Sequence, residues 1–93
     1  MADSITVYYT SVSSDMQLKH KQTYILNILE SKKIDFTVVD IAVEPEAKEK
    51  MREILENPKA IPPQLCKGDV YLGDYEAFYD AVENSELNTF LRL

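Results

Sequence analysis

Residues 57–78 contain most of the prolines, which restrict the backbone dihedral angles, and both glycines, which permit unusual ones. Three of the four prolines and both glycines fall within them. Each proline fixes its own φ at about −65° and disfavours the helical conformation in the residue before it, so no helix can run through Pro58, Pro62 and Pro63. The chain must therefore turn sharply here, and the preceding helix must end before Asn57.

Two short apolar runs follow the Pro62-Pro63 pair and predict a β-hairpin. The runs are residues 64–66 and 70–72, and the three residues centred on Gly68 separate them. Glycine accommodates the positive φ that a tight turn needs, so Gly68 is expected in the left-handed turn position. This part of the chain is thus a proline loop followed by two antiparallel strands.

A helix is predicted directly after the hairpin. Gly73 is expected to end the second strand, and Asp74 is a preferred N-cap residue for a helix that begins at Tyr75. An apolar stripe within residues 87–91 predicts a short C-terminal helix that docks on the rest of the chain.

The N-terminal half predicts a βαβ unit. Residues 5–10 are rich in β-branched and aromatic side chains and predict a buried strand, and residues 34–41 predict a second one. An amphipathic helix runs between them, and Ser14 and Gln17 have the spacing of a capping box at its start. A crossover of this length returns the chain in the same direction, so the two strands are expected to pair in parallel. Another helix is predicted to start at Pro45.

The length and the charge of the chain limit its function classes. Ninety-three residues predict a single domain, residues 1–93, and the formal net charge is −6. Phosphate backbones and anionic lipids repel a negative protein, which argues against nucleic acid and membrane surfaces as partners. No apolar run is long enough for membrane insertion, and the start of the chain lacks the features of a signal peptide. We therefore expect a cytoplasmic monomer that also reaches the nucleus by passive diffusion.

The single cysteine and the single histidine do not predict a reactive site or a metal site. Cys66 has no partner for an internal disulfide, and its place in a short apolar strand predicts a small buried hydrophobic residue. His20 lies between two lysines on a helix, without cysteines or acidic residues at the spacing of zinc ligands. No metal and no cofactor are therefore expected.

The element order and several short phrases resemble a known family. The order β-α-β-α-β-β-α and the Pro63-Gln64 junction resemble the thioredoxin/glutaredoxin fold, which has a cis proline at the start of its third strand. Within that fold, the chain is similar over its whole length to the SH3 domain-binding glutamic acid-rich-like proteins. The phrases that carry this similarity are Val7-Tyr8, Thr10-Ser-Val12, Val39-Asp-Ile41, Asn57-Pro-Lys-Ala60, Pro62-Pro-Gln64 and Gly73-Asp-Tyr-Glu76. The resemblance implies a three-layer α/β, thioredoxin-like (glutaredoxin-like) domain with an extra C-terminal helix.

The loop after the first strand decides what this resemblance implies for chemistry. Glutaredoxins carry Cys-Pro-Tyr-Cys there, because the helix dipole and the backbone amides stabilise a thiolate at a helix N-terminus. In this chain the resemblance puts Ser13, Ser14, Asp15 and Met16 in those places. A serine hydroxyl ionises too weakly to replace a thiolate without a general base. The resemblance therefore implies a redox-inactive protein that is not an enzyme.

Glutathione binding is the alternative that the residues leave open. In glutaredoxins the groove uses backbone groups beside the cis proline and the loop just before the third helix, and Pro62-Pro63 and Asp74 occupy these places here. Against it, Thr10 stands where glutaredoxins often carry a basic residue, and the Asp74 carboxylate is expected to cap the helix itself. The alternative function is a glutathione-binding protein or a transferase-like enzyme that uses the hydroxyl of Ser13 or Thr10.

The family name suggests SH3 binding, but the proline spacing does not support it. SH3 ligands need prolines three positions apart in an extended left-handed helix. Pro58 precedes Pro62 by four positions and Pro63 by five, so the chain has no PxxP motif. A cis peptide bond between Pro62 and Pro63, buried against the first strand, would also be inaccessible to an SH3 groove.

The favoured function is a protein-interaction adaptor, or a modulator of glutaredoxin activity as the resemblance implies. The binding site is expected to be the vestigial groove, without catalytic, cofactor-binding or metal-binding residues. Tyr9 and Tyr75 are expected to supply aromatic contacts to a protein partner. The residues predicted for this groove are Tyr9, Thr10, Ser11, Ser13, Ser14, Asp15, Pro62, Pro63, Asp74 and Tyr75.

Overall fold

The computed structural model describes residues 4–93. Residues 1–3, on which the expectation of no signal peptide rests in part, lie outside them. The elements are β1 (Ile5–Tyr9), α1 (Met16–Ser31), β2 (Phe36–Asp40), α2 (Pro45–Leu55), β3 (Gln64–Lys67), β4 (Val70–Asp74), α3 (Tyr75–Glu83) and α4 (Leu87–Phe90). This is the predicted order β-α-β-α-β-β-α with an extra C-terminal helix.

The four strands form one sheet in the order β2-β1-β3-β4. β1 pairs with β2 in parallel, with Ile5 opposite Phe36, which confirms the βαβ unit. β3 runs antiparallel to β1, with Val7 opposite Leu65, and β4 runs antiparallel to β3. The loop that follows β1 and the loop that precedes β3 therefore lie at the same end of the sheet.

Asp15, and not Ser14, caps α1. Its Oδ1 accepts hydrogen bonds from the amides of Gln17 at 2.9 Å and Leu18 at 3.3 Å. The hydroxyl of Ser13 accepts a hydrogen bond from the Asp15 amide at 3.1 Å, which orders the turn before the helix. The capping-box prediction for Ser14 is wrong, because the carboxylate one residue further along accepts the amides of the first turn instead.

The second strand is shorter than the predicted residues 34–41, because the end of α1 uses part of that stretch. β2 covers only Phe36–Asp40. The amide of Ile34 donates to the carbonyl of Leu29 at 3.0 Å, and Lys33 adopts a positive φ of 57°. Helices commonly end with a residue in the left-handed conformation just after their last turn. Lys33 and Ile34 therefore form the C-terminal cap of α1 and are not part of β2.

The hairpin predicted after the prolines is confirmed, with one correction. Gly68 lies in the turn with a φ of 61°. Gly73 does not end β4; it pairs with Leu65 inside the strand. A Cβ atom at Gly73 would lie 2.7 Å from the Phe90 ring and 2.9 Å from the Cβ of Ala77. The close approach of α4, and not a turn, therefore requires this glycine.

Buried side chains form two clusters, one on each face of the sheet. Neighbouring residues of a strand point to opposite faces, so Leu65 joins one cluster and Cys66 the other. The helices α1, α3 and α4 cover the first cluster, whereas α2 covers the second. The molecule is thus a three-layer arrangement with the sheet in the middle.

Candidate functional site

The turn before β3 contains the cis peptide bond predicted between Pro62 and Pro63. The buried side chain of Gln64 braces this turn. Its amide group donates to the carbonyl of Ile61 at 2.8 Å, and its Oε1 accepts a hydrogen bond from the Tyr71 hydroxyl at 2.9 Å. The side chain of Ile61 is 62% exposed. The turn therefore presents an exposed isoleucine on a braced backbone.

The two helix N-termini beside this turn carry their own carboxylates. Asp15 caps α1, and the Oδ1 of Asp74 accepts a hydrogen bond from the amide of Ala77 at 3.0 Å in α3, as predicted. A helix N-terminus attracts anions through its amides and its dipole. The aspartates already supply that negative charge, so a further anionic group is disfavoured at both helix ends.

One cation bridges the two helices at this site. The Nζ of Lys21 lies 3.6 Å from the Oε1 of Glu76 and 5.5 Å from the centroid of the Tyr75 ring. An exposed ion pair of this kind contributes little to the stability of the fold. Lys21 neutralises only one of three nearby carboxylates, the other two being Asp15 and Asp74. Negative charge is therefore in excess.

The start of α1, the turn before β3 and the start of α3 line a cavity of about 210 Å³, which we name the cis-proline cavity. It is smaller than the roughly 300–1,000 Å³ of typical small-molecule sites. A cavity of this size suits a side chain of a protein partner better than a whole cofactor. Its lining residues are Asp15, Gln17, Leu18, Lys21, Ile61, Pro62, Pro63, Gln64, Asp74, Tyr75 and Glu76.

The structure brings some of the predicted groove residues together at this cavity. They are Asp15, Pro62, Pro63, Asp74 and Tyr75. The sequence interpretation missed the rest of the lining, which consists of Gln17, Leu18, Lys21, Ile61, Gln64 and Glu76. All of these except Lys21 lie within three positions of a predicted groove residue, so extending each predicted motif by a few residues would have included them. Lys21 lies nearly two helical turns beyond Asp15 and had no local signal.

The other predicted groove residues lie outside the lining of the cavity. They are Tyr9, Thr10, Ser11, Ser13 and Ser14. The amide of Thr10 donates to the Oε1 of buried Gln22 at 2.9 Å, and the Nε2 of Gln22 donates to the Thr10 carbonyl at 3.1 Å. The amide of Ser11 donates to the Oδ1 of Asp40 at 3.1 Å. Hydrogen bonding from the Ser11 side chain is the main cause that lowers the pKa of Asp40. These bonds hold the loop to α1 and to β2.

The hydroxyls of Thr10 and Ser13 take part in local turns. The Oγ1 of Thr10 donates to the carbonyl of Val12 at 3.2 Å and accepts a hydrogen bond from the amide of the same residue at 3.2 Å. The hydroxyl of Ser13 accepts from the Asp15 amide. Neither hydroxyl lines the cavity, so the geometry does not favour the alternative of hydroxyl-based catalysis.

Cys66 is buried on the face of the sheet that α2 covers. Its exposed fraction is 0%, and it packs in the same cluster as Tyr8 and Met51. Burial raises the pKa of its thiol from 9.0 to about 11. The thiolate is the reactive form of cysteine, so burial and the raised pKa both disfavour reaction of Cys66 at neutral pH. The prediction of a small buried residue is confirmed.

Across residues 4–93, no group of three or more His, Cys, Asp or Glu side chains is arranged to hold a metal ion. None of the helices in that part of the chain is long and apolar enough to cross a membrane.

Comparison with known proteins identifies the family. A family model described as SH3-binding, glutamic acid-rich protein matches residues 3–93. The chain belongs to this family. The resemblance stated from the short phrases of the sequence is thereby confirmed.

Solved structures with the same fold include an actin interacting protein and glutaredoxins. The actin interacting protein Aip5 of C. albicans is 25% identical, with a TM-score of 0.76 over 96% of this chain and 88% of that chain. Glutaredoxin C1 from Populus tremula x tremuloides is 11% identical, with a TM-score of 0.69 over 97% of this chain and 84% of that chain. A buckwheat glutaredoxin, solved in complex with glutathione, is 8% identical, with a TM-score of 0.69 over 97% of this chain and 77% of that chain. At these identities the glutaredoxins show the fold alone, and they confirm the predicted thioredoxin-like class.

Proposed function

We propose that this chain is a redox-inactive glutaredoxin-like protein that binds other proteins through the cis-proline cavity. The carboxylate of Asp15 at the N-terminus of α1 carries this proposal. It accepts two amides of the first helical turn, at 2.9 and 3.3 Å, where a glutaredoxin needs those groups to stabilise a thiolate. The single sulfhydryl of the chain, that of Cys66, is buried under α2. Thiol–disulfide exchange therefore has no nucleophile at this site.

The cavity is also poorly suited to glutathione. Pro62 precedes the cis proline, and a proline lacks the backbone N–H that would pair with an extended peptide ligand. Lys21 offsets only one of the three carboxylates at the cavity. Glutathione carries a net negative charge, so this environment repels it. Both features disfavour glutathione, whereas a protein partner that places a side chain in the cavity depends on neither.

Two protein partners follow from the similarities. Aip5 is named as an actin interacting protein and resembles this chain over nearly its whole length, so actin is the first candidate. A glutaredoxin whose activity the chain would modulate is the second, through the family resemblance. In both cases we propose exposed Ile61 as the central apolar contact, because interface energy concentrates in a few buried anchors.

We further propose a monomer acting in the cytoplasm, in keeping with its free thiol.

Co-sedimentation with actin filaments and an activity assay of a purified glutaredoxin test the two partners. We expect the wild-type chain to bind one of them and Ile61→Glu to weaken that binding by about 10-fold or more, because a charge replaces the apolar anchor. Val43→Glu is the matched control, since Val43 is also highly exposed, at 71%, but lies outside the cavity lining. Equal weakening by the two variants, or no binding to either protein, contradicts the proposal.

A titration with glutathione, followed by amide chemical shifts, tests the alternative function. We expect no saturable change in the amides of the cavity residues Gln17, Gln64 and Asp74. Saturable movement of these signals at millimolar glutathione would instead support a glutathione-binding protein.

A further inference from the structure

Beyond the cavity, α1 and α3 share an exposed aromatic surface. The ring centroids of Tyr24 and Tyr75 lie 5.7 Å apart, those of Tyr24 and Tyr79 lie 5.7 Å apart, and those of Tyr75 and Tyr79 lie 6.0 Å apart. Tyr79 is 39% exposed, and the other two rings are half-buried. We name these three residues the tyrosine face.

The tyrosine face is held in place from below. The ring of Tyr24 stands edge-on to the ring of Phe78, with centroids 6.0 Å apart and planes at 90°. Phe78 is fully buried in the core cluster that α1 and α3 cover. The rings are therefore ordered before a partner binds. Less conformational entropy is lost when a partner binds an already ordered surface, which favours recognition here.

Helix α3, which carries Tyr75 and Tyr79, also carries three exposed carboxylates. Glu76, Asp80 and Glu83 are exposed and follow one another on α3 at spacings of four and three, which puts them along one side of the helix. The pKa of Tyr24 is raised, first by burial and then by the negative charge of Glu83. Within residues 4–93, neither Asp80 nor Glu83 forms a salt bridge.

The protein already binds one of its own cations at this surface. Lys21 places its ammonium over the Tyr75 ring and beside the Glu76 carboxylate. Further along α3, Glu83 lies four positions after Tyr79, on the same side of the helix, so a ring and a carboxylate again occur together. One end of the surface is occupied by Lys21, and the other end offers the same combination to a partner.

We propose that the tyrosine face, with Glu76, Asp80 and Glu83, binds an arginine-rich segment of another protein. A guanidinium group stacks on an aromatic ring and also donates paired hydrogen bonds to a carboxylate, whereas an ammonium is a compact point charge. The negative charge of the chain complements such a segment and opposes nucleic acid and anionic lipid. This surface extends beyond the proposed contact at Ile61, although Lys21, Tyr75 and Glu76 also line the cis-proline cavity.

Helix α2 provides an internal control. Glu46, Glu49 and Glu53 are exposed and follow one another at spacings of three and four, so α2 presents three carboxylates along one side as α3 does. The helix Pro45–Leu55 contains no aromatic residue. Binding that depends only on the net charge of the whole chain would respond alike to the loss of either set of carboxylates. Helix α2 also carries Lys48, Lys50 and Arg52, whereas α3 carries no cation, so Tyr79→Leu, which leaves every charge in place, tests the contribution of the rings.

The test is a titration of the full chain with a capped peptide of alternating glycine and arginine, and with its lysine counterpart, followed by amide chemical shifts. We expect saturable shifts at Tyr24, Tyr75 and Tyr79 with the arginine peptide and clearly weaker binding of the lysine peptide. Tyr79→Leu and the triple variant Glu76→Gln/Asp80→Asn/Glu83→Gln should each raise the dissociation constant by about 5-fold or more.

The control is the triple variant Glu46→Gln/Glu49→Gln/Glu53→Gln, which removes the same charge from α2. It should change the dissociation constant by less than about 2-fold, because α2 covers the other face of the sheet, away from the tyrosine face. The two triple variants have equal net charge, so a difference between them does not come from net charge. Equal weakening by both triple variants, equal binding of the two peptides, shifts at α2 as large as at the tyrosine face, or no saturable shift would each overturn the proposal. Circular dichroism spectra of all variants verify that they are folded. The proposed function is tested separately, with Ile61 and with other probes, so a failure here does not decide it.

Discussion

The two faces of the sheet are covered in different ways, and the difference locates the candidate sites. On one face, α1 and α3 lie side by side over a core that includes Leu29 and Phe78. On the other face, α2 alone covers Cys66 and contributes Met51 to the same cluster. Where two helices meet, their N-termini and facing side chains form the cavity and the tyrosine face. The single helix α2 has no neighbouring helix with which to form such a site, so binding is expected at the face that α1 and α3 cover. Cys66 lies on the opposite face.

The largest effect is expected from emptying the core on the two-helix face. Phe78→Ala should lower the free energy of unfolding by about 3–5 kcal/mol, because it removes a fully buried ring that α1, α3 and α4 share. Urea denaturation measures this change. Asp80→Ala, at an exposed position of the same helix, should stay within about 0.5 kcal/mol of wild type. Similar losses in the two variants would show that α3 is not docked on the sheet.

On the α2 face, the expected effect is a dependence of stability on alkaline pH. The unfolded thiol of Cys66 ionises near its ordinary pKa of 9.0, and the folded one near 11, because burial disfavours the thiolate. Between these values the unfolded state binds fewer protons, so the free energy of unfolding should fall as pH rises, by up to about 2–3 kcal/mol. Urea titrations at a series of pH values measure this fall.

Cys66→Ala is the control for that prediction. The pKa values of Tyr8, Tyr24 and Tyr71 are also raised, in each case first by burial, so a smaller alkaline fall should remain in this variant. The difference between the two pH profiles isolates the contribution of the thiol. Identical profiles for wild type and Cys66→Ala would mean that the thiol is not shielded by α2.

A smaller effect is expected where α4 closes the two-helix face. Gly73→Ala should lower the free energy of unfolding by about 1–3 kcal/mol, because the new methyl group overlaps the Phe90 ring, 2.7 Å away, and the Cβ of Ala77, 2.9 Å away. Thermal denaturation measures it. In a Phe90→Leu background the same change should cost less, since the two residues are in contact and their effects are not additive. Additive effects would show that α4 does not press on β4.

The turn and the order of elements could be predicted because the residues that decide them act on their own backbone. Pro62 and Pro63 exclude helix at their positions, Gly68 permits a positive φ, and Asp74 caps a helix that starts at the next residue. Each effect reaches only a few positions along the chain. Local chemistry is therefore enough to place these features.

The candidate site could be predicted only in part, because several of its residues are positioned by distant partners. Thr10 is held by Gln22, 12 positions away, and Ser11 by Asp40, 29 positions away, and neither residue lines the cavity. No spacing rule connects such pairs. Lys21 likewise joins the cavity only because α1 and α3 are neighbours on the same face of the sheet.

The sequence by itself determined the proline turn, the alternation of strands and helices, and the lack of a second cysteine, since these depend on residue identity and on near neighbours. The tertiary structure decided that Cys66 lies under α2, that Gly73 must accept Phe90, and that three tyrosines from two helices form one surface. These are outcomes of packing between segments far apart in the chain. The energy of such packing depends on which surfaces meet, and a linear pattern does not contain that information.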